Sequence, residues 1–585
     1  MRKSIEFLGI FICLATGCHQ SRTMKTEKYS GDQQFQKLSE EFLTGYFNWR
    51  PQLAVALGIH DYDGMVTDFS KASIRDENER LRKYDRLFAD FDSVSLQPAL
   101  YYDLRILQAG IRNELFTFED MGSYTKNPML YAGAPDVSIY IKRDFAPLED
   151  RLKSIISIER KAPDIFQRAR TNLEDSLARP YVETAVEIAR GAADFLQHDL
   201  VKALGGIKND SLMKAFMNSN HTAAEELNSF ANYLEKEKLP KAHDHFALGK
   251  EKYTRMLSNE YIDLSPEKVL AIGMSELNRQ QEIFDSAARV IDPHKKPVDV
   301  YQEIKKEHPT AQSLIPDARR DLEMIRQFIV DKHIVDIPSS VRVTVQETPP
   351  YARSTSTASM DTPGPFEKKA TAAYYYITPV DPSWSPRQKE DWLSMFDYYT
   401  TDNVSVHEAY PGHYIQFLHL NASPATRIEK VFGSYAFIEG WAHYCEEMMV
   451  NEGFGNPGDP VKAAKYRLAQ TGDALLRICR LCVSIRMHCE GMTVDEATRF
   501  FMKNWHQGEK PSQQEAIRGT FDPGYLYYSL GKLEIMKLRS DYRKQEGDNF
   551  SLSAFHNRML DHGMPPIRLL REVLLKDKNQ WNEIL

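Results

Sequence analysis

The chain has 585 residues and a formal net charge of −8 at pH 7. Apolar residues make up 42% of it and charged residues 27%, which excludes a disordered chain and supplies apolar surface for a large core. No long basic run is present, so we expect no nucleic-acid partner.

The N-terminal segment has the order of a secretory signal. Two basic residues precede an apolar stretch at residues 7–14, and small residues then lead to Cys18. The stretch is too short to span a bilayer, which takes about 20 apolar residues. A Cys after small residues resembles a bacterial lipobox, although Glu6 and Ala15 depart from that pattern. We expect a lipoprotein signal peptide at 1–17 and anchoring in the cell envelope only through a lipid on Cys18, on the periplasmic or extracellular face; a simple secreted start is the alternative.

Helical periodicity dominates after a polar tether at residues 18–33. We expect residues 34–585 to form one body, or alternatively two lobes, a helical lobe at 34–260 and a catalytic lobe at 261–585. Ser265 and Pro266 have the side chains of a helix cap and a first helical position. Amphipathic spacing predicts long helices at about 73–90, 148–204, 211–237 and 265–291.

The pattern changes between residues 337 and 380. Residues 341–345 alternate β-branched with polar side chains, and residues 370–378 are rich in tyrosine, so both predict strands. Residues 354–365 between them have the composition of a loop. The fold class is therefore mainly α, with one small β-sheet just upstream of the helices that follow residue 386. Tyr374–Tyr376 would border a cleft if an extended peptide added to this strand; ordinary strand packing is the alternative.

The segment VSVHEAYPGHYIQ carries candidate metal chemistry. A hydrolytic zinc site takes three protein ligands, often two His and one Glu, beside a carboxylate base. His407 and Glu408 supply such a pair, but His413 follows His407 by six residues, which is about a third of a turn off a shared helix face. Pro411 and Gly412 favour a local bulge that would bring the imidazoles together. A chance pair on a solvated helix is the alternative.

Glu439 in FIEGWA is the candidate third ligand, because zinc peptidases of the gluzincin type place a ligand Glu in a helix of the pattern E-G-aromatic-A. His443 and Glu446 follow at helical spacing and are candidates to orient ligands, or are ordinary polar residues. Glu447 is expected to be a satisfied or solvated polar residue. Cys479 and Cys482 form an isolated CxxC in an apolar helix, where we expect buried thiols rather than a metal or redox site.

The motifs HEAYPGH and EGWA resemble those of the bacterial "domain of unknown function 885" family, many of whose members are described as lipoproteins. Similar motifs lie at residues 56–64, 522–532 and 550–565, so the resemblance covers nearly the whole mature chain. It implies a mostly helical, zinc metallopeptidase-like hydrolase with His407, His413 and Glu439 as ligands and Glu408 as base. Tyr414 stands where members often have a second consecutive His.

Two further candidates complete the predicted site. Tyr528 is expected to hydrogen-bond a developing oxyanion, with Tyr527 as the alternative and aromatic packing as the ordinary role of either. His488 is a candidate catalytic residue or a core histidine. Arg486 is a candidate to bind a substrate carboxylate or is a solvated Arg.

Together these residues predict a Zn²⁺-dependent peptidase that hydrolyses small peptides in the cell envelope, with Glu408 as general base. One alternative is a zinc amidohydrolase acting on cell-wall or non-peptide amides. Another is a non-catalytic envelope binding protein. The choice between exo- and endo-cleavage stays open at this point.

Overall fold

The computed structural model describes residues 31–349, 353, 357–456 and 458–585. The predicted signal peptide, Cys18 and most of the predicted tether lie outside the described residues. The first described helix begins at Asp32, inside the last two residues of that tether.

Helices make up most of the fold, as the periodicity predicts. The first group comprises α1 (Asp32–Trp49), α2 (Pro51–Ala56), α3 (Lys71–Ala89), α4 (Pro98–Leu115), α5 (Ser123–Lys126), α6 (Pro128–Ala132), α7 (Ile139–Lys142), α8 (Leu148–Glu159), α9 (Ala162–Asn172), α10 (Arg179–Phe195), α11 (Val201–Leu204) and α12 (Asp210–Tyr233). Before the sheet lie α13 (Lys250–Asn259), α14 (Pro266–Ile291), α15 (Pro297–Ile304) and α16 (Leu314–Asp331).

The helices after the sheet carry the predicted site. They comprise α17 (Pro386–Leu393), α18 (Tyr398–Glu408), α19 (His413–Ala422), α20 (Arg427–Val431), α21 (Tyr435–Asn451), α22 (Pro460–Cys489), α23 (Val494–Trp505), α24 (Glu509–Phe521), α25 (Tyr527–Glu546), α26 (Leu552–Leu560) and α27 (Ile567–Leu574).

Capping residues and periodicity predicted some helix ends correctly and others incorrectly. Ser265 caps α14 by accepting a hydrogen bond from the Lys268 amide at 3.3 Å, as predicted. The predicted stretch at 148–204 is instead divided into α8, α9, α10 and α11. Pro163 and Pro180 lie in the first turns of α9 and α10, where a missing N–H costs little, and neither can continue a preceding helix.

The small sheet has the strand order β1-β3-β2, formed by β1 (Thr344–Glu347), β2 (Ala358–Asp361) and β3 (Tyr374–Ile377). β1 pairs with β3 in parallel and β2 pairs with it antiparallel. The prediction of one small sheet is confirmed, but the predicted loop at 354–365 contains β2. The prediction that a peptide adds to the strand at Tyr374–Tyr376 is wrong, because β3 is the central strand and both of its edges are paired. The alternative of ordinary strand packing applies.

Three apolar clusters form the core of the described residues. The largest joins most of the helices from α13 to α27 to the sheet, and it includes the buried free thiols of Cys479 and Cys482, as predicted. A second cluster lies among the helices between α2 and α12. The third joins α1–α4 to Ile428, Phe432 and Leu569, so the first helices pack on the part of the chain that carries the site. No helix within the described ranges combines the length and apolar character of a membrane span.

Candidate metal centre

The two histidines are brought together by a break between helices rather than by a bulge within one helix. α18 ends at Glu408 and α19 begins at His413. Gly412 folds back so closely that a Cβ atom there would lie 1.8 Å from the carbonyl oxygen of His407, so only glycine fits this turn. The indole of Trp441, from the EGWA motif, donates to the carbonyl oxygens of Pro411 at 3.0 Å and Gly412 at 3.2 Å. The EGWA motif thus stabilises the turn in the HEAYPGH motif.

The side chains of His407, His413 and Glu439 converge on one point. Glu439 Oε2 lies 3.5 Å from His407 Nε2 and 3.6 Å from His413 Nε2. The two imidazole rings are 4.9 Å apart between centroids and nearly perpendicular, at 87°. Among the described residues, this trio forms a group whose ligand atoms all lie within 4.8 Å of one another, close enough to hold a metal ion.

Glu439 is positioned by the crossing of α21 and α25. Ser434 caps the start of α21 by accepting from the Phe437 amide at 3.2 Å. Gly440, next to Glu439, approaches Gly531 of α25 so closely that a Cβ on Gly440 would lie 2.6 Å from the Gly531 carbonyl carbon. Gly440 of the EGWA motif and Gly531 of the segment YYSLGK (residues 527–532) therefore contact each other, and the two helix backbones pack directly together at this point.

A buried carboxylate orients His407 from the opposite side of its ring. Glu446 is 0% exposed and accepts a hydrogen bond of 2.7 Å from His407 Nδ1. It also accepts from His443 Nδ1 at 3.1 Å and Asn403 Nδ2 at 3.4 Å, and pairs with Arg477 Nη2 at 3.1 Å. Because Nδ1 is used as a donor, the neutral imidazole of His407 presents the lone pair of Nε2 at the convergence point. The interpretation of His443 and Glu446 as orienting residues agrees with these contacts.

The charges around His407 favour a cation. Burial lowers the pKa of His407, but hydrogen bonds to Glu439 and Glu446 outweigh it and raise the pKa to about 9. Burial raises the pKa of Glu439, yet hydrogen bonds to His407 and His413 outweigh burial and hold that pKa well below its ordinary value. Two carboxylates thus create a negative potential at the point where the donor atoms meet, which a proton or a metal ion can neutralise.

Glu408 follows His407 in the chain and lines a cavity of about 870 Å³ together with it. Its Oε2 accepts a hydrogen bond of 3.2 Å from the main-chain N–H of Met360 in β2, so the sheet positions this carboxylate. The cavity wall is formed by His407, Glu408 and Tyr528 together with Arg353, Thr357, Ala358, Thr378, Pro379, Asp381, Trp384, Trp392, Arg477, Arg480, Gln514, Glu515 and Arg518.

The two neighbouring tyrosines have different roles. The Tyr528 ring is nearly parallel to that of His407, with 6.5 Å between ring centroids and 15° between ring planes. Burial and the nearby Glu439 raise the pKa of Tyr528, so the phenol keeps its proton at neutral pH and can donate. Tyr527 is buried in the core, and its hydroxyl donates to the carbonyl of Met256 at 3.0 Å. Tyr528 is therefore the tyrosine of this pair that lies on the cavity.

Comparison with known families identifies the family of this chain. A model of the family described as "Bacterial protein of unknown function (DUF885)" matches residues 51–574. The chain belongs to this family. The comparison with curated proteins gives no significant match.

Two solved structures share the fold of this DUF885 protein. A "putative lipoprotein of unknown function" from Shewanella oneidensis is 24% identical, with a TM-score of 0.77 over 93% of this chain and 100% of that one. A "putative lipoprotein" from Colwellia psychrerythraea is 17% identical, with a TM-score of 0.76 over 94% of this chain and 99% of that one.

His488 does not belong to the candidate site of this DUF885 protein, which corrects the prediction of a catalytic role. Its Nε2 hydrogen-bonds the Gly519 carbonyl at 2.8 Å, and its Nδ1 accepts from the Leu248 amide at 3.3 Å. Burial lowers its pKa to about 4, despite the hydrogen bond to Gly519, so the ring is neutral. Arg486 likewise lies elsewhere, with its guanidinium 5.1 Å from the Phe500 ring.

Sequence reasoning missed the arginines of the cavity wall. Arg477 and Arg480 lie on α22 and Arg518 lies on α24, and all three line the cavity. Charged residues within an apolar helix are seldom buried without a partner, so the arginines that interrupt residues 475–487 were a usable signal for a charged site. Asn403 carried no such signal, because its contact with Glu446 depends on how α18 packs on α21.

Proposed function

We propose that this DUF885 protein is a zinc-dependent peptidase that hydrolyses small peptides in the cell envelope. One observation carries the proposal, namely the convergence of His407, His413 and Glu439 on one point beside Glu408. Two histidines and a glutamate are a frequent ligand set of hydrolytic zinc sites, which keep a fourth position open.

The donor set fits zinc in spacing as well as in kind. Ligands placed about 2.0–2.1 Å from a tetrahedral ion lie roughly 3.3 Å from one another, and Glu439 Oε2 lies 3.5 and 3.6 Å from the two imidazole nitrogens. The carboxylate of Glu446 behind His407 is the kind of partner that fixes a ligand histidine and raises its basicity. His407, His413 and Glu439 would therefore hold the ion.

When bound, zinc supplies Lewis acidity that activates water and polarises a carbonyl group. In the proposed mechanism Glu408, held by the Met360 amide, accepts the proton of the attacking water and passes it to the leaving amine. Tyr528 keeps its phenolic proton and donates it in a hydrogen bond to the oxyanion. The cavity of about 870 Å³ is within the range of small-ligand sites and suits a short peptide.

The envelope location is part of the proposal. The residue order around Cys18 supports a lipid anchor, and both structural relatives are described as "putative lipoprotein". In the native host, Cys18→Ala should move the protein from the detergent phase to the aqueous phase in a phase-partition experiment. An unmodified Cys18 in the mature protein, detected by mass spectrometry, would remove the anchor from the proposal.

The peptidase activity is tested with purified full chain and a mixture of unstructured peptides, with cleavage followed by mass spectrometry. Glu408→Gln should keep the bound metal and lose turnover by about 10²- to 10⁴-fold. Asp381→Asn is the matched control, because Asp381 is an exposed carboxylate on the same cavity, and it should retain turnover.

Each outcome separates the competing functions. Turnover of Glu408→Gln at the wild-type rate would remove Glu408 as base. Cleavage of cell-wall or non-peptide amides without cleavage of ordinary peptides would favour the amidohydrolase. Bound metal without turnover of any amide would favour the binding protein.

A further inference from the structure

Two guanidinium groups lie beside Tyr528 on the cavity wall. The guanidinium carbon of Arg480 is 5.0 Å from the centroid of the Tyr528 ring, and that of Arg518 is 5.8 Å away. The centroids of the Tyr528 and His407 rings are 6.5 Å apart. Tyr528 therefore lies between the two arginines and the candidate ligand His407.

Both arginines are held by carboxylates that leave part of each guanidinium outside the pair. Glu515 accepts from Nε and Nη2 of Arg480 at 2.8 and 2.7 Å. Asp522 accepts from Nε and Nη2 of Arg518 at 3.0 and 2.8 Å. Arg518 also donates from Nη2 to the Tyr435 hydroxyl at 3.2 Å and hydrogen-bonds the Tyr528 hydroxyl. In each carboxylate pair Nη1 lies outside the contact, so the orientation of a charged donor is fixed in advance.

The wall built by α22 and α24 presents three guanidinium groups to the cavity, those of Arg477, Arg480 and Arg518. Each of them has one carboxylate partner. Arg477 is engaged with Glu446 behind the wall, at 3.1 Å. Arg480 and Arg518 face the cavity with Nη1 outside their carboxylate pairs, so these two can donate to an anionic substrate group.

We propose that Arg480 and Arg518 form a subsite for the free C-terminal carboxylate of the substrate peptide. A peptide extends by about 3.3–3.6 Å per residue, so a carboxylate at this subsite lies one to three residues beyond a bond cleaved at the metal centre. The enzyme then removes fragments of one to three residues from peptide C-termini. This inference rests on the proposed peptidase function and adds the substrate class.

Binding is measured by calorimetry on the full chain with Glu408→Gln, which prevents turnover. The probes are N-acetylated tetra-alanine as the free acid, the same peptide as the C-terminal amide, and an amide whose last residue is glutamate. The free acid should bind about 10- to 100-fold more tightly than the plain amide, because a carboxylate accepts charge-assisted hydrogen bonds from both arginines that the neutral amide cannot match. The glutamate amide separates a side-chain carboxylate from a C-terminal one.

Two variants test the two arginines separately. Arg518→Gln removes one cation, and Arg480→Met combined with Glu515→Met removes an ion pair as a unit. Each should reduce the preference for the acid to less than about 3-fold, and the two together should abolish it. Arg486→Gln is the matched control on the same helix, since Arg486 lies against Phe500, and it should keep the preference.

Equal binding of acid and amide, or no binding of the acid below 5 mM (about −3 kcal/mol), overturns the subsite. Binding of the glutamate amide as tightly as the acid overturns recognition of the C-terminus. With the wild-type chain, equal cleavage of acid and amide leaves the peptidase standing without this subsite. Preferential binding of the acid without cleavage of any peptide leaves the subsite standing and removes the peptidase.

Discussion

The contact between α21 and α25 makes a sharp prediction for Gly531→Ala. A Cβ on Gly531 would lie 1.8 Å from the carbonyl oxygen of Ala436, whereas carbon–oxygen contacts are normally about 3.3 Å or longer. The helices must therefore separate by roughly 1.5 Å. Overpacking costs about 3 kcal/mol at the upper end of its usual range, and alanine regains about 1 kcal/mol in helix propensity. We expect a net loss of about 2 kcal/mol in the free energy of unfolding.

Gly191→Ala is the matched control. Gly191 is also inside a helix, α10, but it is exposed and a Cβ there meets nothing within 4 Å. Its replacement should raise the free energy of unfolding by about 0.5–1 kcal/mol. Urea denaturation followed by circular dichroism should therefore move the two midpoints in opposite directions. A Gly531→Ala midpoint at or above that of Gly191→Ala would refute the backbone contact.

Three further predictions address other parts of the chain. Burial raises the pKa of Asp103 from 3.8 to about 7, although the Thr426 hydroxyl lowers it. The stability that goes with this raised pKa is present below pH 4 and is lost as pH rises through 7, so Asp103→Asn should stabilise by up to about 4 kcal/mol at pH 8 and by far less at pH 4, measured by urea denaturation. Glu446→Gln should weaken zinc binding about 10- to 100-fold in a chelator competition, because His407 loses a charged partner; unchanged affinity would remove Glu446 as an orienting group. His488→Leu should cost roughly 1–3 kcal/mol by leaving main-chain groups unpaired while zinc content and turnover stay unchanged; loss of turnover in a folded variant would return His488 to the site.

Local chemistry predicted the helical fold and a departure from regular helix in the HEAYPGH segment, but as a bulge rather than as a break between two helices. Ser265 and Pro266 define the start of α14 without help from the rest of the chain. Pro411 and Gly412 likewise indicate a departure from helix. The outcome, two helices rather than one bulged helix, depends on Trp441, which donates to both carbonyls of the turn from a different helix. That contact is not readable from residue spacing.

Nonlocal contacts explain the predictions that were wrong. β2 has the composition of a loop and becomes a strand because it pairs with β3. His488 lies eleven residues after Arg477 on α22, which puts the two on nearly the same helix face but about 16 Å apart along the axis. Residue spacing identifies the shared face of α22. Which end of that face lines the cavity depends on how α24 and α25 pack against α22.

The central claim is that His407, His413 and Glu439 together hold one zinc ion. Metal analysis of the purified chain and of His407→Ala, His413→Ala and Glu439→Ala tests it directly, with His419→Ala as the control because His419 lies on α19 but hydrogen-bonds Asp561. We predict about one zinc per chain in the wild type and in the control, and little or none in the three variants. A wild-type chain that does not bind zinc, or variants that keep it in full, would contradict the claim.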